Sequence, residues 1–296
     1  MSQLFLDPTL APAGWTADRP LDRDPLVVSY GMGVDSTAVL VEFARRALRP
    51  DLILFADTGS EKAATYAYRP VIDGFVAAVG FPPVTVVRYR PRHGRYETLE
   101  AECRRKGMLP SLAYGYKGCS LKWKAEPQTR FLKAWPMARQ AWAEGRRIRH
   151  VIGYDAGPKD LRRGGHVTAR VSARIPEDFW YPLQEWGWDR AHCAAEITRD
   201  PVIRRVAAAV GVPSVPPKSA CFFCPSTKPE ELDALRATEP DKLERIVALE
   251  RAAAPRLTQI QGLWRRATRA RPASMTEYLT GEPLDVGAAS AGRSGT

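Results

Sequence analysis

Short apolar runs alternate with amphipathic stretches along the first half of the chain, and this alternation constrains the fold more than any other feature. The first run, Leu26–Ser29, ends in a glycine-rich turn, and residues 36–48 then place their apolar side chains on one helical face. Further buried strands are predicted at residues 52–56, 84–87 and 148–153. Strands that alternate with helices at this spacing pair in parallel through right-handed crossovers. The pattern therefore predicts an α/β fold with a parallel sheet.

Composition sets broad limits on where such a chain can function. Of the 296 residues, 45% are hydrophobic, which is enough for a large folded core. No apolar run is long enough to cross a bilayer, so we expect no membrane association. The N-terminal residues lack a basic segment followed by an apolar one, which makes a cytoplasmic location the expectation.

The charge balance is basic, with 44 Lys and Arg against 33 Asp and Glu and a formal net charge of +11. Such an excess favours polyanionic partners, although arginine used for solubility would produce the same balance. Basic segments predicted as helical near Arg265, Arg266, Arg269 and Arg271 could hold a phosphate backbone. Aromatic residues near position 186 could stack on bases, or they could simply pack in the core.

The turn after the first strand offers backbone N–H groups and a helix N-terminus, the arrangement that binds phosphate. Ser36 at the helix start can cap the helix or contact a phosphate oxygen. The turn is not a Walker loop, since no Gly-Lys-Ser or Gly-Lys-Thr follows, and the third glycine of a dinucleotide fingerprint is missing. Taken alone, it is equally consistent with a tight turn that binds nothing.

The loop resembles the PP-loop of the adenine nucleotide alpha-hydrolase-like superfamily, in its phosphoadenosine phosphosulfate (PAPS) reductase-like branch. Gly33, Asp35 and Ser36 match the second half of the motif Ser-Gly-Gly-x-Asp-Ser, whereas Gly31 and Met32 stand where Ser and Gly are expected. Four later segments are similar to family motifs in the same order: residues 55–61, 118–124, 152–156 and 219–225. An expected glutamate is missing from the third of these segments, where residues 158–160 read Pro-Lys-Asp.

The resemblance implies a doubly wound parallel sheet with ATP or a sulfonucleotide at the carboxyl ends of its strands. It implies Mg²⁺ on the pyrophosphate, with Asp35, Lys122, Arg162 and Arg163 as catalytic candidates. The residues implied in nucleotide binding are Ser29, Gly31, Gly33, Asp35, Ser36, Thr37, Asp57, Thr58 and Gly59.

Four domains or segments are predicted. They are an N-terminal extension at 1–24, a PP-loop nucleotide-binding domain at 25–175, a helical region with cysteines at 176–285 and a flexible tail at 286–296. Helices are predicted in the third of these at residues 189–210, 229–237 and 242–253.

The cysteines predict a metal centre, because a C-x-x-C pair lets two thiolates reach one metal from a single turn. Cys221 and Cys224 form that pair, and Cys119 and Cys193 complete four candidate ligands. Cys103 is predicted to be a thiol without a metal role. Relatives with scattered ligands carry a [4Fe-4S] cluster, so the resemblance implies one here, with zinc or a metal-free dithiol as alternatives.

A PAPS reductase requires a nucleophilic cysteine near its C-terminus, and no cysteine follows Cys224. The sequence therefore disfavours a sulfonucleotide reductase. The resemblance implies instead an ATP pyrophosphatase that adenylates an acceptor for sulfur insertion, with tRNA or DNA as the acceptor and a cysteine desulfurase as a possible sulfur source. The alternative from another class is a non-catalytic, metal-stapled scaffold or nucleic-acid-binding protein.

Overall fold

The computed structural model describes residues 23–93, 96–162 and 175–286. It contains a five-stranded, all-parallel sheet in the order β3-β2-β1-β4-β5. The predicted α/β class with a parallel sheet is therefore confirmed. The strands are β1 (Leu26–Ser29), β2 (Leu52–Asp57), β3 (Val84–Arg88), β4 (Ile148–Ile152) and β5 (Glu177–Trp180).

The first four strands lie where the apolar runs predict them, whereas β5 was not predicted. Its sequence, Glu-Asp-Phe-Trp, begins with two acidic residues and carries no apolar run. It joins the sheet because it pairs in parallel along β4, with Glu177 opposite Ile148 and Trp180 opposite Val151.

The strand order changes direction at β1, which lies between β2 and β4. Val27 is in register with Leu52 on one side and with His150 on the other. In open parallel sheets, ligands bind beyond the carboxyl ends of the strands at the point where the order reverses. A ligand site is therefore expected at the carboxyl ends of β1 and β4.

Two of the predicted helix boundaries require correction. The first helix, predicted at 36–48, spans Val34–Arg45, and the single helix predicted at 189–210 is two helices that meet at Asp200. The Asp200 carboxylate accepts hydrogen bonds from the N–H groups of Val202 and Ile203, so it caps a new helix that opens on a proline. The helices are α1 (Val34–Arg45), α2 (Ala63–Ala67), α3 (Arg69–Ala78), α4 (Leu99–Lys106), α5 (Gly118–Ser120), α6 (Glu126–Ala134), α7 (Pro136–Ala143), α8 (Pro182–Glu185), α9 (Arg190–Arg199), α10 (Pro201–Val210), α11 (Pro229–Thr238), α12 (Pro240–Ala253) and α13 (Met275–Thr280).

Helices cover both faces of the sheet. Val28 and Ile53 point to one face, where they pack with residues of α1, α3, α9 and α10. Val27 and Leu54 point to the other face, where they pack with residues of α6 and α7. This alternation follows from the two-residue period of a strand, and burial on both faces explains why β1 and β2 are continuous apolar runs.

The described chain forms two compact units, each built from discontinuous segments. The sheet unit takes the described parts of Met1–Ala56, Ala64–Val87 and Glu126–Ser219. The helical unit takes the described parts of Asp57–Ala63, Arg88–Ala125 and Ala220–Thr296. The predicted domains were continuous, and their boundary near residue 175 falls inside the sheet unit.

The helical unit has its own apolar core, formed by α4, α11, α12 and the segments that follow α12. Glu250 of α12 is fully buried in this unit. Its carboxylate accepts hydrogen bonds from the backbone N–H groups of Leu263, Met275 and Thr276 and from the Thr276 hydroxyl. Glu250 therefore holds both ends of the segment between Leu263 and Thr276.

No helix among the described residues has the length and apolar character that crossing a bilayer requires.

Candidate functional site

The loop between β1 and α1 is held by its own hydroxyl groups. The Gly31 N–H donates to the Ser36 Oγ over 3.1 Å, and the Ser36 hydroxyl donates to the Gly33 carbonyl over 3.2 Å. The Thr37 hydroxyl donates to the same carbonyl over 2.9 Å. Gly33 is the N-cap of α1, and no side chain caps this helix end. The loop is therefore a preformed turn that leads into the positive end of the α1 dipole.

Met32 accounts for the departure from the glycine-rich motif. Its backbone φ is +54°, in the left-handed region that glycine prefers, yet its side chain is only 1% exposed and packs in the core of the sheet unit. A left-handed conformation costs a non-glycine residue about 1–2 kcal/mol. Burying a methionine side chain contributes about 1.5–3 kcal/mol, which offsets that cost. The buried Met32 side chain thus anchors the loop to the core of the sheet unit.

Two glycines allow close approach around the loop. A Cβ atom on Gly33 would lie 2.8 Å from the Ser219 Oγ, and one on Gly153 would lie 2.9 Å from the Ser36 backbone nitrogen. Ser219, whose role the sequence did not predict, thus places its hydroxyl beside the loop. Gly153 follows β4 directly, so the carboxyl end of β4 packs against the first turn of α1.

Three carboxylates converge at the start of α1. One oxygen each from Asp35, Asp155 and Asp160 lies within 4.8 Å of the others, the only such group of metal-binding side chains among the described residues. Asp35 Oδ1 is buried and has no hydrogen-bond partner within the described part of the chain. Its other oxygen, Oδ2, accepts from Arg190 Nη1 over 3.1 Å.

Burial raises the pKa of Asp35 to about 6, and the neighbouring carboxylates of Asp155 and Asp160 add to the rise while Arg190 opposes it. Three such groups repel one another when ionised, and a divalent cation relieves that repulsion. Asp155 and Asp160 were not predicted as site residues. Asp160 lies in the stretch where the resemblance leads one to expect a glutamate.

Ser29, at the end of β1, takes part in a buried polar chain. Its hydroxyl donates to Gln128 Oε1 over 2.5 Å and lies 2.8 Å from His150 Nε2, while His150 Nδ1 lies 2.6 Å from Glu177 Oε2. His150 and Glu177 are buried within the sheet. The sequence did contain a signal for this chain, because His150 is an ionisable residue at a buried position of β4, beside the exposed Arg149.

The cations predicted to be catalytic do not all lie in the sheet unit. Arg162 is exposed and donates to the Pro158 carbonyl over 3.1 Å, and Arg163 lies outside the described residues. Lys122 lies in the helical unit, where it pairs with Glu102 and donates to the Tyr96 hydroxyl over 3.2 Å. The cation that contacts Asp35 is instead Arg190, which was not predicted.

The predicted nucleotide residues Asp57, Thr58 and Gly59 lie in the helical unit. Asp57 is almost fully buried and pairs with Arg88 over 2.6 Å. The Thr58 Oγ1 lies 3.3 Å from the Cys221 Sγ. This segment thus borders the cysteine pair.

Four cysteines lie in the core of the helical unit. Cys103 and Cys221 are buried members of that core, and Cys119 and Cys224 pack against it. The Cys224 N–H donates to the Cys221 carbonyl over 3.0 Å, which closes the turn expected for a C-x-x-C pair. The structure therefore places Cys103 in the same core as the three predicted ligands of this unit, although the sequence assigned it no metal role.

Cys193, the fourth predicted ligand, is not part of this group. It is fully buried in the core of the sheet unit, on α9. Burial raises its pKa to about 12, and the nearby Asp35 carboxylate raises it further. A buried helix cysteine of this kind behaves as a small apolar residue.

A buried ion pair borders the cysteine pair. Lys124 Nζ lies 3.2 Å from Glu61 Oε1, and Glu61 forms a backbone bridge with Cys221. Burial raises the pKa of Cys221, and the Glu61 carboxylate raises it further while Lys124 opposes the rise. Glu61 was not singled out from the sequence.

The aromatic group near position 186 packs against the core of the sheet unit, in agreement with the packing interpretation.

The described residues thus form an α/β protein with two notable sites. The sheet unit contains the β1–α1 loop beside three close carboxylates, and the helical unit has four cysteines in or against its apolar core. No protein-family model matches the chain, and no curated protein matches it either.

Proposed function

We propose that the chain binds ATP with Mg²⁺ at the β1–α1 loop and cleaves it between the alpha- and beta-phosphates to adenylate an acceptor. The observation that carries the proposal is the convergence of Asp35, Asp155 and Asp160 at the N-terminus of α1. A helix N-terminus attracts phosphate, and a carboxylate group beside it supplies the ligands that Mg²⁺ prefers. The two features together fit a metal–polyphosphate substrate better than either fits alone.

The donor set is chemically suited to Mg²⁺. Asp35 Oδ1 is a buried carboxylate oxygen without a hydrogen-bond partner among the described residues, and a cation would satisfy it. Mg²⁺ held by these carboxylates would neutralise charge on the departing pyrophosphate. The remaining loop contacts come from backbone N–H groups and the Ser36 and Ser219 hydroxyls.

In the proposed reaction an acceptor oxygen attacks the alpha-phosphorus, the bond to the bridging oxygen breaks, and pyrophosphate leaves with the electron pair. Arg190, which contacts Asp35, and Arg162 are the described cations of the sheet unit that can stabilise charge on the phosphates. Arg163 remains a candidate from sequence. The adenylated acceptor then loses AMP when a sulfur nucleophile displaces it.

A [4Fe-4S] cluster is the proposed occupant of the cysteine core, with Cys103, Cys119, Cys221 and Cys224 as its ligands. Four soft thiol donors in one core suit iron–sulfur or zinc chemistry. Within the described chain, no three cysteine sulfurs lie within 4.8 Å of one another. The choice of a cluster over zinc rests on the resemblance to PAPS reductase-like proteins. When bound, the cluster would supply an iron site for sulfur handling.

The acceptor is proposed to be nucleic acid, tRNA or DNA, since the chain carries a net charge of +11. An external sulfur source such as a cysteine desulfurase and a cytoplasmic location complete the proposal. A second candidate, a non-catalytic scaffold, is favoured by one observation: the Ser36 and Thr37 hydroxyls already bond to backbone groups of the loop itself.

The test measures pyrophosphate release from ATP and Mg²⁺ with a tRNA or DNA acceptor. Asp35→Asn, Asp155→Asn and Asp160→Asn should each lower release at least tenfold. Asp178→Asn is the matched control: this aspartate pairs with Arg147 at the start of β5 and should leave release unchanged. A wild-type protein that neither binds ATP nor releases pyrophosphate with any acceptor would exclude the enzyme and favour the scaffold.

A further inference from the structure

A short basic turn in the helical unit has no counterpart in the proposed reaction. Residues 265–271, here called the arginine turn, contain Arg265, Arg266, Arg269 and Arg271. The segment was expected to be helical, but it forms a loop closed by a backbone bridge between Thr268 and Arg271. The first three of these arginines are exposed.

No described carboxylate neutralises the charges of this turn. Across the described ranges, no carboxylate lies within 4.0 Å of any of the four guanidinium groups, whereas Arg245 and Arg251 of the same unit pair with Glu100 and Glu282. Surface arginines commonly find a carboxylate, so four unpaired ones within seven residues concentrate positive potential at one place.

Arg271 is the most informative member. Its guanidinium lies over the Trp264 ring at 4.6 Å, and its Nη1 is buried without a hydrogen-bond partner in the described part of the protein. Burial lowers the pKa of Arg271. A guanidinium that loses water and gains no anion is held in an unfavourable state, which an incoming anion would relieve.

The turn is held in place rather than left loose. Glu250 binds the backbone at Leu263 and Met275, on either side of it. Arg265 adopts a left-handed φ of +71°, a strained conformation for a residue other than glycine. Its guanidinium lies against Gly115, where a Cβ atom would come within 2.7 Å of Nη1.

The contact with Gly115 brings an exposed aromatic ring next to the turn. Tyr116, the adjacent residue, is 70% exposed, and Lys117 beside it is exposed as well. Two segments 150 residues apart in number, 115 and 265, thus meet, and the exposed residues Tyr116 and Lys117 directly follow that contact in the chain. Guanidinium groups bind phosphates in a bidentate manner, and an exposed ring stacks on unpaired bases.

We propose that the arginine turn, with Tyr116 and Lys117, binds the phosphate backbone of single-stranded or looped nucleic acid. The inference rests on the proposed function only for the role of the bound strand as acceptor. An anionic lipid surface is a poorer fit, because the exposed residues of the turn are Arg, Ala and Thr and include no large apolar side chain for insertion.

The test is fluorescence anisotropy of the full-length protein with labelled single-stranded RNA, single-stranded DNA and duplex DNA between 50 and 200 mM salt. Arg266→Ala/Arg269→Ala should weaken binding at least tenfold and reduce the salt slope by about 1.4, since each phosphate contact on a single strand contributes about 0.7. Tyr116→Ala should weaken single-strand binding more than duplex binding. Matched thermal unfolding of all variants verifies that they fold.

Arg204→Ala/Arg205→Ala is the control, because it removes the same charge from an exposed part of α10 in the sheet unit. Equal weakening by both double variants would reduce the effect to overall charge and overturn the proposal. So would the absence of wild-type binding to every nucleic acid at 50 mM salt, or binding of phosphatidylserine vesicles that depends on the turn and is not displaced by RNA.

ATP binding in the presence of Mg²⁺, measured by isothermal titration on the same variants, separates the two proposals because it requires no acceptor. Binding of RNA through the turn in a protein that does not use ATP would defeat the proposed function and leave this inference standing. If the protein uses ATP but its affinity for nucleic acid does not depend on the arginine turn, this inference fails and the proposed function stands.

Discussion

Gly153 packs directly against Ser36: a Cβ atom on Gly153 would lie 2.9 Å from the Ser36 backbone nitrogen. The contact joins the carboxyl end of β4 to the first turn of α1 at the point where the strand order reverses. It leaves no room for any other residue without movement of α1, since backbone rather than a flexible side chain is the neighbour.

We therefore expect Gly153→Ala to displace the start of α1 and to weaken ATP binding at least tenfold. Gly145→Ala, after α7 in the same unit, is the control, because nothing lies within 4 Å of the Cβ that it adds. Isothermal titration with ATP and Mg²⁺ measures both variants. Equal affinity of the two would show that the close contact has no functional role.

At position 32 the glycine variant should be more stable than the alanine variant, the reverse of the usual order. Met32→Ala loses buried packing, at a cost of about 2–5 kcal/mol, and keeps the left-handed strain. Met32→Gly loses the same packing but relieves that strain, so it should be about 1 kcal/mol more stable than the alanine variant. Urea unfolding measures the difference. At Leu40, in the middle of α1, the glycine variant should instead be the less stable one, and the same order at both positions would contradict the strain argument.

The two buried cysteines outside the C-x-x-C pair make a matched pair for the cluster. Cys103 and Cys193 are 4% and 0% exposed, so a serine at either position should cost similar stability. Only Cys103→Ser should reduce iron and labile sulfide after anaerobic purification, because only Cys103 lies in the core with the other thiols. Loss of iron in Cys193→Ser alone would restore the ligand set predicted from sequence, and zinc without sulfide would reject the cluster.

Glu250 should make the stability of the fold dependent on pH. Burial raises the pKa of its carboxyl above the ordinary value of 4.5, so the folded state favours the protonated form. The stability that Glu250 contributes should therefore fall as pH rises from about the ordinary value through the folded one. Glu250→Gln cannot ionise and leaves N–H groups without acceptors, at a cost of about 1–3 kcal/mol.

The measurement is urea unfolding of both proteins from pH 4.5 to 8. The stability advantage of the wild type should be largest at acidic pH and shrink toward neutral pH. Glu282→Gln, an exposed glutamate of the same unit, should follow the wild-type curve. A constant difference between wild type and Glu250→Gln across this range would contradict the assignment.

Much of the sheet could be predicted because its signals are local. β1 and most of β2 are short apolar runs buried on both faces, and β3 and β4 each contribute valine or isoleucine side chains to both sheet cores. Hydrophobic burial favours such residues wherever helices can cover them. The glycine turn before α1 is equally local. β5 was missed, since Glu177 and Asp178 give it no apolar pattern and its place depends on pairing with β4.

The composition of the sites depended on tertiary contacts. The local sequence around Cys103 and Cys193 contains nothing that separates a thiol in the core of the helical unit from one in the sheet core, and only the fold places Cys103 in the same core as the C-x-x-C pair. Asp155 and Asp160 reach Asp35 only because the carboxyl end of β4 lies beside α1.

Residue patterns thus specified the strands, the turn and the alternation that makes this an α/β protein, because backbone periodicity and burial act over a few neighbouring residues. The partners of Asp35, Cys221 and Arg265 include residues 150 or more positions away in the chain: Arg190, Thr58 and Gly115. The free energies of these contacts depend on distances in space, and only the folded chain sets those distances.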